Sequence, residues 1–399
     1  MQLNLGFSTA SEQGIPHIIK YMGSKKPIID FVINKIVEIH KVEKPVCDLF
    51  AGSCSISAAL RRKFNFISND IQAYSEVLAH TYFSDFSNFS FEELLAQIEL
   101  SASIHSWSLK KKLQPLAIDF GKINDLKSFY EIENKQRSLL YQPFLEENYF
   151  LFTKYYSGTY WSFEQCVWID SLRKTAESYK NSNVYYAIIS SLMYAMSYTT
   201  QSTGHFAQYR DGRNLEAMRD ILIYRQKSIL ELFKKKFIDL VACLNNSLKN
   251  LQTTTLDFKE SLKTSPKGTT IYADPPYAPV HYSRFYHALE TLVKYDYPEV
   301  EFKGRYRKDR HQSPFSQKGN AEEAFSDLFD GVINKKSQLI LSYSDTGVLS
   351  IDKIYQLAEK KFQRKFYTLE YLTSSHEHST MGYAKKRNVT EYLVIAKQK

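Results

Sequence analysis

The strongest constraint on the fold of this chain is a short unit near its start, in which an apolar strand, a tight turn, a helix and a second strand follow one another between residues 46 and 70. Val46-Cys47-Asp48-Leu49-Phe50 reads as a buried strand and Ala51-Gly52-Ser53 as the turn. Residues 55–63 read as a helix with Ser55 as its N-cap, and residues 64–69 as a strand ending at Asp70. Parallel neighbours need a crossover, and a helix is the usual one. The unit therefore opens a doubly wound α/β sheet.

From about residue 75 to 250 the pattern changes to aromatic-rich helical segments, such as 91–101, 163–180 and 184–198. Strand character resumes at 269–273, 338–343, 366–372 and 391–396. The expected architecture is an α/β sheet formed by 1–75 and 251–399 and interrupted by a large, mainly helical insertion, 76–250. A chain of 399 residues suits two lobes, because single cores stop growing near about 250–300 residues. The last two strands are joined by 373–390, which lacks an obvious long helix, so an antiparallel closing pair is expected on a mostly parallel sheet.

Open α/β sheets bind ligands outside the carboxyl ends of their strands. Three acids fall at such ends: Asp48, Asp70 and Asp274. Asp70 lies 22 residues after Asp48, where a ribose-binding carboxylate is expected. The turn carrying Phe50 and Gly52 has one glycine where a dinucleotide fingerprint has three, so a nucleoside without a pyrophosphate fits it better. The same turn also serves α/β enzymes of any kind.

Asp274-Pro275-Pro276-Tyr277 is the most specific motif. Paired prolines fix φ and remove two N–H donors, so the Pro275 carbonyl is a rigid acceptor beside the Asp274 carboxylate. Two acceptors converging on one point suit an exocyclic amino group, which offers two N–H donors and keeps its lone pair free. Tyr277 supplies a face for a planar base. The plain alternative is a strand-terminating turn.

With these motifs in place, the chain resembles the DNA adenine methylase family. The resemblance rests on Lys20-Tyr21-Met22-Gly23-Ser24-Lys25, Asp48 to Ser55, Asn69-Asp70, Asp257-Phe258 and Asp274–Tyr277, in the family's alpha order. It implies a Rossmann-like methyltransferase sheet, S-adenosylmethionine as cofactor and target-recognition elements within the insertion. It also implies that Tyr21, Lys25, Asp48, Phe50, Gly52, Asp70, Asp257, Phe258 and Asp274 contact the cofactor, and that Asp274, Pro275, Pro276 and Tyr277 act on the target base. Taken alone, Lys25 is a surface lysine and Asp257 equally a helix N-cap. Cys54 departs from the family's second loop glycine; a Cβ there either narrows the loop or demands a φ that tolerates it.

An adenine amino group is out of reach within a duplex, so the base has to be flipped out. Residues 303–318 hold six basic residues, among them Arg305, Arg307, Lys308 and Arg310, against Asp309 alone, and are expected to bind phosphates. Residues 199–214, with His205, Gln208 and Arg210, suit hydrogen bonds to base edges. A solvated charged loop and an ordinary polar loop are the alternatives. Overall, 52 Lys and Arg against 43 Asp and Glu give a net +9, which favours a polyanion without proving one.

Four cysteines without a CxxC pair suit a reducing cytoplasm, and the apolar run 184–196 is too short to cross a bilayer. The histidines show no metal-ligand spacing with cysteines, so no metal is expected. The partners expected are double-stranded DNA and a cognate restriction endonuclease in a restriction–modification system, but no membrane, and the chain is expected to be a monomer. Three competing activities remain: methylation of cytosine N4, where serine commonly replaces the acid of the motif; methylation of a protein glutamine, which usually goes with asparagine there; and DNA binding with S-adenosylmethionine as a structural ligand.

Overall fold

The computed structural model describes residues 16–20, 28–87, 90–113, 116, 118–143, 148–200, 205–244, 248–379 and 386–399. Seven strands form one sheet: β1 (Val46–Asp48), β2 (Phe66–Asn69), β3 (Leu251–Thr254), β4 (Thr270–Ala273), β7 (Gln338–Ser344), β8 (Tyr367–Ser379) and β9 (Lys386–Gln398). Two further strands, β5 (Val300–Glu301) and β6 (Tyr306–Arg307), make a separate small hairpin. The order across the main sheet is β3-β2-β1-β4-β7-β9-β8. The first five of these strands run parallel, and β9 is antiparallel to both β7 and β8. The closing hairpin is longer at both strands than the sequence pattern indicates, because the β8–β9 ladder continues to Ser379↔Lys386, past the end of the β7–β9 pairing at Ser344↔Glu391.

Consecutive strand residues point to opposite faces, and the apolar runs use both. On one face Val46, Phe66, Tyr272 and Ile340 pack against Val32, Ile36 and Ile39 of α1 (Ile29–Ile39). On the other, Cys47, Ile67, Ile271 and Leu339 pack against α11 (Phe258–Thr264), α13 (Ala321–Asn334) and α14 (Ile351–Lys361) through Leu262, Phe325 and Ile354. A third and larger core joins α2 (Ser55–Leu60) and α3 (Ala73–Tyr82) to the helices of the insertion. Those helices are α4 (Phe91–Lys112), α6 (Leu151–Tyr156), α7 (Phe163–Glu177), α8 (Asn183–Thr199) and α10 (Ile229–Cys243), while α5 (Leu126–Arg137) and α9 (Leu215–Arg225) pack together in a separate small cluster around Phe129 and Ile221.

Helix α12 (Ser283–Lys294) follows the Asp274–Tyr277 loop in sequence, yet Phe285, Leu289 and Leu292 bury themselves in the insertion's core. The Arg173 guanidinium of α7 fixes this arrangement, donating to the Leu292 carbonyl at the end of α12 at 2.8 Å. No described helix is long and apolar enough to cross a membrane.

Candidate active site

The chain runs outward from β1 to β3 and then returns to β4 on the other side of β1, so the strand order reverses between β1 and β4. A crevice forms at such a reversal. Asp48 closes β1 and Asp274 follows β4, one on each side of it. The ladder continues briefly past the strands: Leu49 N–H donates to the Tyr272 carbonyl and Ala51 N–H to the Asn69 carbonyl, each at 2.9 Å. The 49–53 turn is thereby held between β4 and β2. Gly52 turns the chain at φ +52, and its N–H donates to Asp70 Oδ2 at 2.9 Å. The other Asp70 oxygen accepts the Gln72 N–H at 2.9 Å, just before α3 begins.

Helix α2 starts one residue earlier than the sequence suggests. Its N-cap is Cys54, not Ser55, and Cys54 sits in the left-handed region at φ +58 with no side-chain cap. That conformation costs a side-chain-bearing residue about 1–2 kcal/mol. The thiol is turned away from the cleft into the core, with Sγ 3.3 Å from the Ser75 carbonyl and 3.4 Å from Ser75 Oγ. Burial pushes it up to about 12, so it is no thiolate at neutral pH.

Asn69 is the clasp of the site. It is 1% exposed, and its amide nitrogen donates to the carbonyls of Leu49 at 3.0 Å and Leu256 at 3.1 Å. Its amide oxygen accepts from Thr254 Oγ1 at 2.7 Å and from Leu256 N–H at 3.2 Å. One side chain thus pins the ends of β1, β2 and β3 together.

The cleft above these ends is lined by Phe50, Asp70, Ile71, Gln72, Leu256, Asp257, Phe258, the whole of Asp274–Tyr277, Tyr282, Ser283, His311, Ser313 and Pro314. Its floor is aromatic: the rings of Phe50, Phe258 and Phe315 meet pairwise at centroid distances of 4.9 to 6.0 Å. Asp257 lines the cleft and also caps α11, accepting Lys259 N–H at 2.9 Å. The Tyr277 ring packs edge-on against Tyr343, 5.1 Å between centroids, and its carbonyl accepts Val348 N–H at 3.0 Å.

The electrostatics of the cleft are acidic. Asp48 is held well above the usual carboxylate range, first by burial and then by the charges of Asp274 and Asp70. Its Oδ1 is buried without a hydrogen-bond partner among the described residues. Burial raises Asp70 to about 6 against the pull of the Gln72 and Gly52 amides.

Tyr21 and Lys25 lie outside the described residues. Of the segments expected to meet DNA, 303–318 is not an unstructured charged loop. It includes the β6 strand of the small hairpin, and acids from outside the basic stretch meet its cations. Arg307 is buried and bidentate to Asp296 at 2.6 and 2.7 Å, with Asp309 at 2.9 Å. Lys308 pairs with Glu299 at 2.9 Å and Arg310 with Glu301 at 2.7 Å, while Lys303 pairs with Asp211. Arg305 is largely buried near Tyr209 and Tyr156, and its Nη1 lacks a hydrogen-bond partner among the described residues. Gln208 is exposed, Arg210 pairs with Asp220, and the His205 ring rests edge-on against Phe285 at 4.7 Å. The sequence reading missed Ile71, Gln72, Leu256, Tyr282, Ser283, His311, Ser313 and Pro314 in the cleft, as well as the clasp made by Asn69. Only Ser313-Pro314 carries a local signal, since X-Pro marks a turn start, and Pro314 does begin a short 3₁₀ turn.

A sheet of this order with a reversed strand next to its edge, with the acids after β2 and β4 lining one cleft and Asp48 buried at the end of β1, is the Rossmann-like methyltransferase fold. The chain belongs to the D12 class N6 adenine-specific DNA methyltransferase family, whose sequence profile matches residues 21–357. It is 24% identical over 354 residues to modification methylase LlaI of Lactococcus lactis subsp. lactis, covering 86% of this chain and 49% of that protein. It is 26% identical over 389 residues to type II methyltransferase M.FokI of Planomicrobium okeanokoites, covering 92% and 53%. With type II methyltransferase M.NlaIII of Neisseria lactamica the identity is 21%, covering 94% and 98%. The chain spans about half the length of the first two and nearly all of the third.

Proposed function

We propose that this chain transfers a methyl group from S-adenosylmethionine to the N6 amino group of an adenine flipped out of duplex DNA, as the modification component of a restriction–modification system. The observation that carries the reading is the meeting, in one cleft, of the Asp274-Pro275-Pro276-Tyr277 loop with Asp70, Asp257 and the aromatic floor of Phe50 and Phe258. The setting follows from relatives named modification methylases and type II methyltransferases.

The residues present fit the cofactor. Three carboxylates crowd the strand ends, one of them with a buried oxygen lacking a hydrogen-bond partner, and their mutual repulsion is relieved by a ligand that brings positive charge. S-adenosylmethionine, when bound, supplies an electrophilic methyl on a cationic sulfur. Asp48, Phe50, Gly52, Asp70, Asp257 and Phe258 would hold it, with Tyr21 and Lys25 assigned by the family motif.

Asp274 and the Pro275 carbonyl then accept the two N–H bonds of the target amino group and aim its lone pair. As positive charge develops on that nitrogen, the Asp274 carboxylate stabilises it. Tyr277, braced by Tyr343 and by the hydrogen bond from Val348 to its carbonyl, presents its ring to the base. Most of the acceleration comes from holding the reactants in line. For the duplex we assign His205, Gln208 and Arg210 to contacts with the target, and Arg305, Arg307, Lys308 and Arg310 to the phosphate-facing side. The ion pairs of the last three make them the framework of that surface.

The test is transfer of tritium from labelled S-adenosylmethionine into duplex DNA, followed by nucleoside analysis. Label in N6-methyladenine, lost in Asp274→Ala with the fold intact by circular dichroism, is the expected result. Label in cytosine or in protein, or an active Asp274→Ala enzyme, overturns the assignment.

A further inference from the structure

Helix α4 buries one side, through Leu95, Ile98, Ala102 and Leu109, and presents three large apolar residues on the other. Leu100, Ile104 and Trp107 are 64%, 62% and 64% exposed. Their spacing of four and three residues places them in a single stripe about 10 Å long on the outer face. Scattered surface hydrophobics are ordinary, but three aligned on one helix mark a contact surface.

Charge indicates the occupant. The stripe is flanked by exposed Glu92 and Glu93 in the first turn of the helix and by exposed Lys111 in the last. Two copies of α4 laid antiparallel about a two-fold near Ala102 bring Glu93 opposite Lys111 at both ends. Between them Gln97 faces Trp107, and Leu100 faces Ile104. A parallel pairing would set like charges against each other. Opposed helix dipoles favour the same antiparallel arrangement. The acidic end argues against nucleic acid as the occupant. An apolar stripe whose flanking charges complement themselves under a two-fold is the isologous kind that closes a dimer.

We propose that the chain self-associates through α4 as an antiparallel two-fold dimer, with Leu100, Ile104 and Trp107 at its centre and Glu93–Lys111 pairs at its ends. The expectation of a monomer is set aside by this reading, which is independent of the catalytic assignment. A patch this small makes a weak dimer, assembling in the micromolar range.

Sedimentation of the full chain across about 1–100 µM is the test. The expected result is a reversible monomer–dimer equilibrium whose dissociation constant rises at least tenfold in Trp107→Glu, with Ile104→Arg as an independent second variant should the first misfold. Lys111→Glu should weaken the dimer severalfold, and adding Glu93→Lys to it should restore most of the loss. A photo-crosslinking residue at position 104 should join two copies. A monomer at the highest concentration, a dimer indifferent to both stripe variants, a charge swap that fails to restore, or a crosslink to duplex DNA or within one chain each overturns the proposal.

Discussion

Replacing Asn69 by alanine should loosen the floor of the cleft more than any other single change to a residue that performs no chemistry. Four hydrogen bonds are lost at once: two to the Leu49 and Leu256 carbonyls, and two from the Thr254 hydroxyl and Leu256 amide. Leu49 is fully buried, whereas Thr254 and Leu256 are half-buried and partly recover through water. A buried group stripped of its partner costs about 1–3 kcal/mol, and half-exposed ones less. The sum is about 3–4 kcal/mol, a large share of the stability of a typical domain. Urea unfolding followed by circular dichroism, with the slope held common, measures it. Because the same side chain pins the ends of β1, β2 and β3, S-adenosylmethionine affinity measured by calorimetry should fall with it, by about tenfold for each 1.4 kcal/mol of lost positioning. An Asn69→Ala protein within about 1 kcal/mol of the parent, or one that binds the cofactor unchanged, would show that Asn69 does not clasp the strand ends.

Three further outcomes are expected. Cys54→Val should destabilise by more than about 2 kcal/mol, since a β-branched residue tolerates the φ of +58 poorly, whereas Cys54→Gly trades strain relief against lost packing and should stay within about 1 kcal/mol; chemical denaturation compares them. Burial lowers His287 to about 3, so the folded protein refuses the proton that the unfolded chain takes up near pH 6.5. Its stability contribution is complete above pH 6.5 and is lost at about 1.4 kcal/mol per pH unit down to about pH 3. Unfolding at pH 6.5 and 5 should therefore show about 2 kcal/mol less acid sensitivity in His287→Gln than in the parent. Arg225 and Glu133, each 1% exposed and 2.6 Å apart, form a buried pair. Glu133→Gln alone should cost about 3–5 kcal/mol by thermal unfolding, and a paired apolar replacement, Arg225→Met with Glu133→Leu, should recover most of it.

Strands that end in an acid before a tight turn were the most legible part of the fold, because burial on both faces leaves an unbroken apolar run and the turn chemistry marks its end. β1, β2 and β4 are of that kind. β3 was not visible: Leu251-Gln252-Thr253-Thr254 is a half-exposed edge strand, and neither alternation nor an apolar run marks it. The N-cap of α2 was misplaced by one residue because a side chain at positive φ leaves no trace in composition. In the site, the acids and the Asp274–Tyr277 loop were readable as motifs, whereas Asn69 resembles any strand-end asparagine until its four hydrogen bonds are made, three of them to a segment almost 190 residues away. The ion pairing within 303–318 was not legible because the acids that meet its cations, Asp296, Glu299, Glu301 and Asp211, fall outside that window.

The largest apolar core runs without a break from Cys54 and Ala58 through Leu192 and Phe237 of the insertion to Phe285 and Leu289 of α12. For anyone hoping to graft a new target specificity by exchanging residues 76–250 between relatives, this continuity sets the terms. The inserted block does not carry its own interior; it borrows one wall from the helix after the 49–53 turn and another from the helix after the Asp274–Tyr277 loop. A chimera cut at those boundaries would join two halves of different cores, and a successful one has to exchange α12 and the inner faces of α2 and α3 along with the insertion. Exchange of this block is accordingly tied to the helices that flank the cleft.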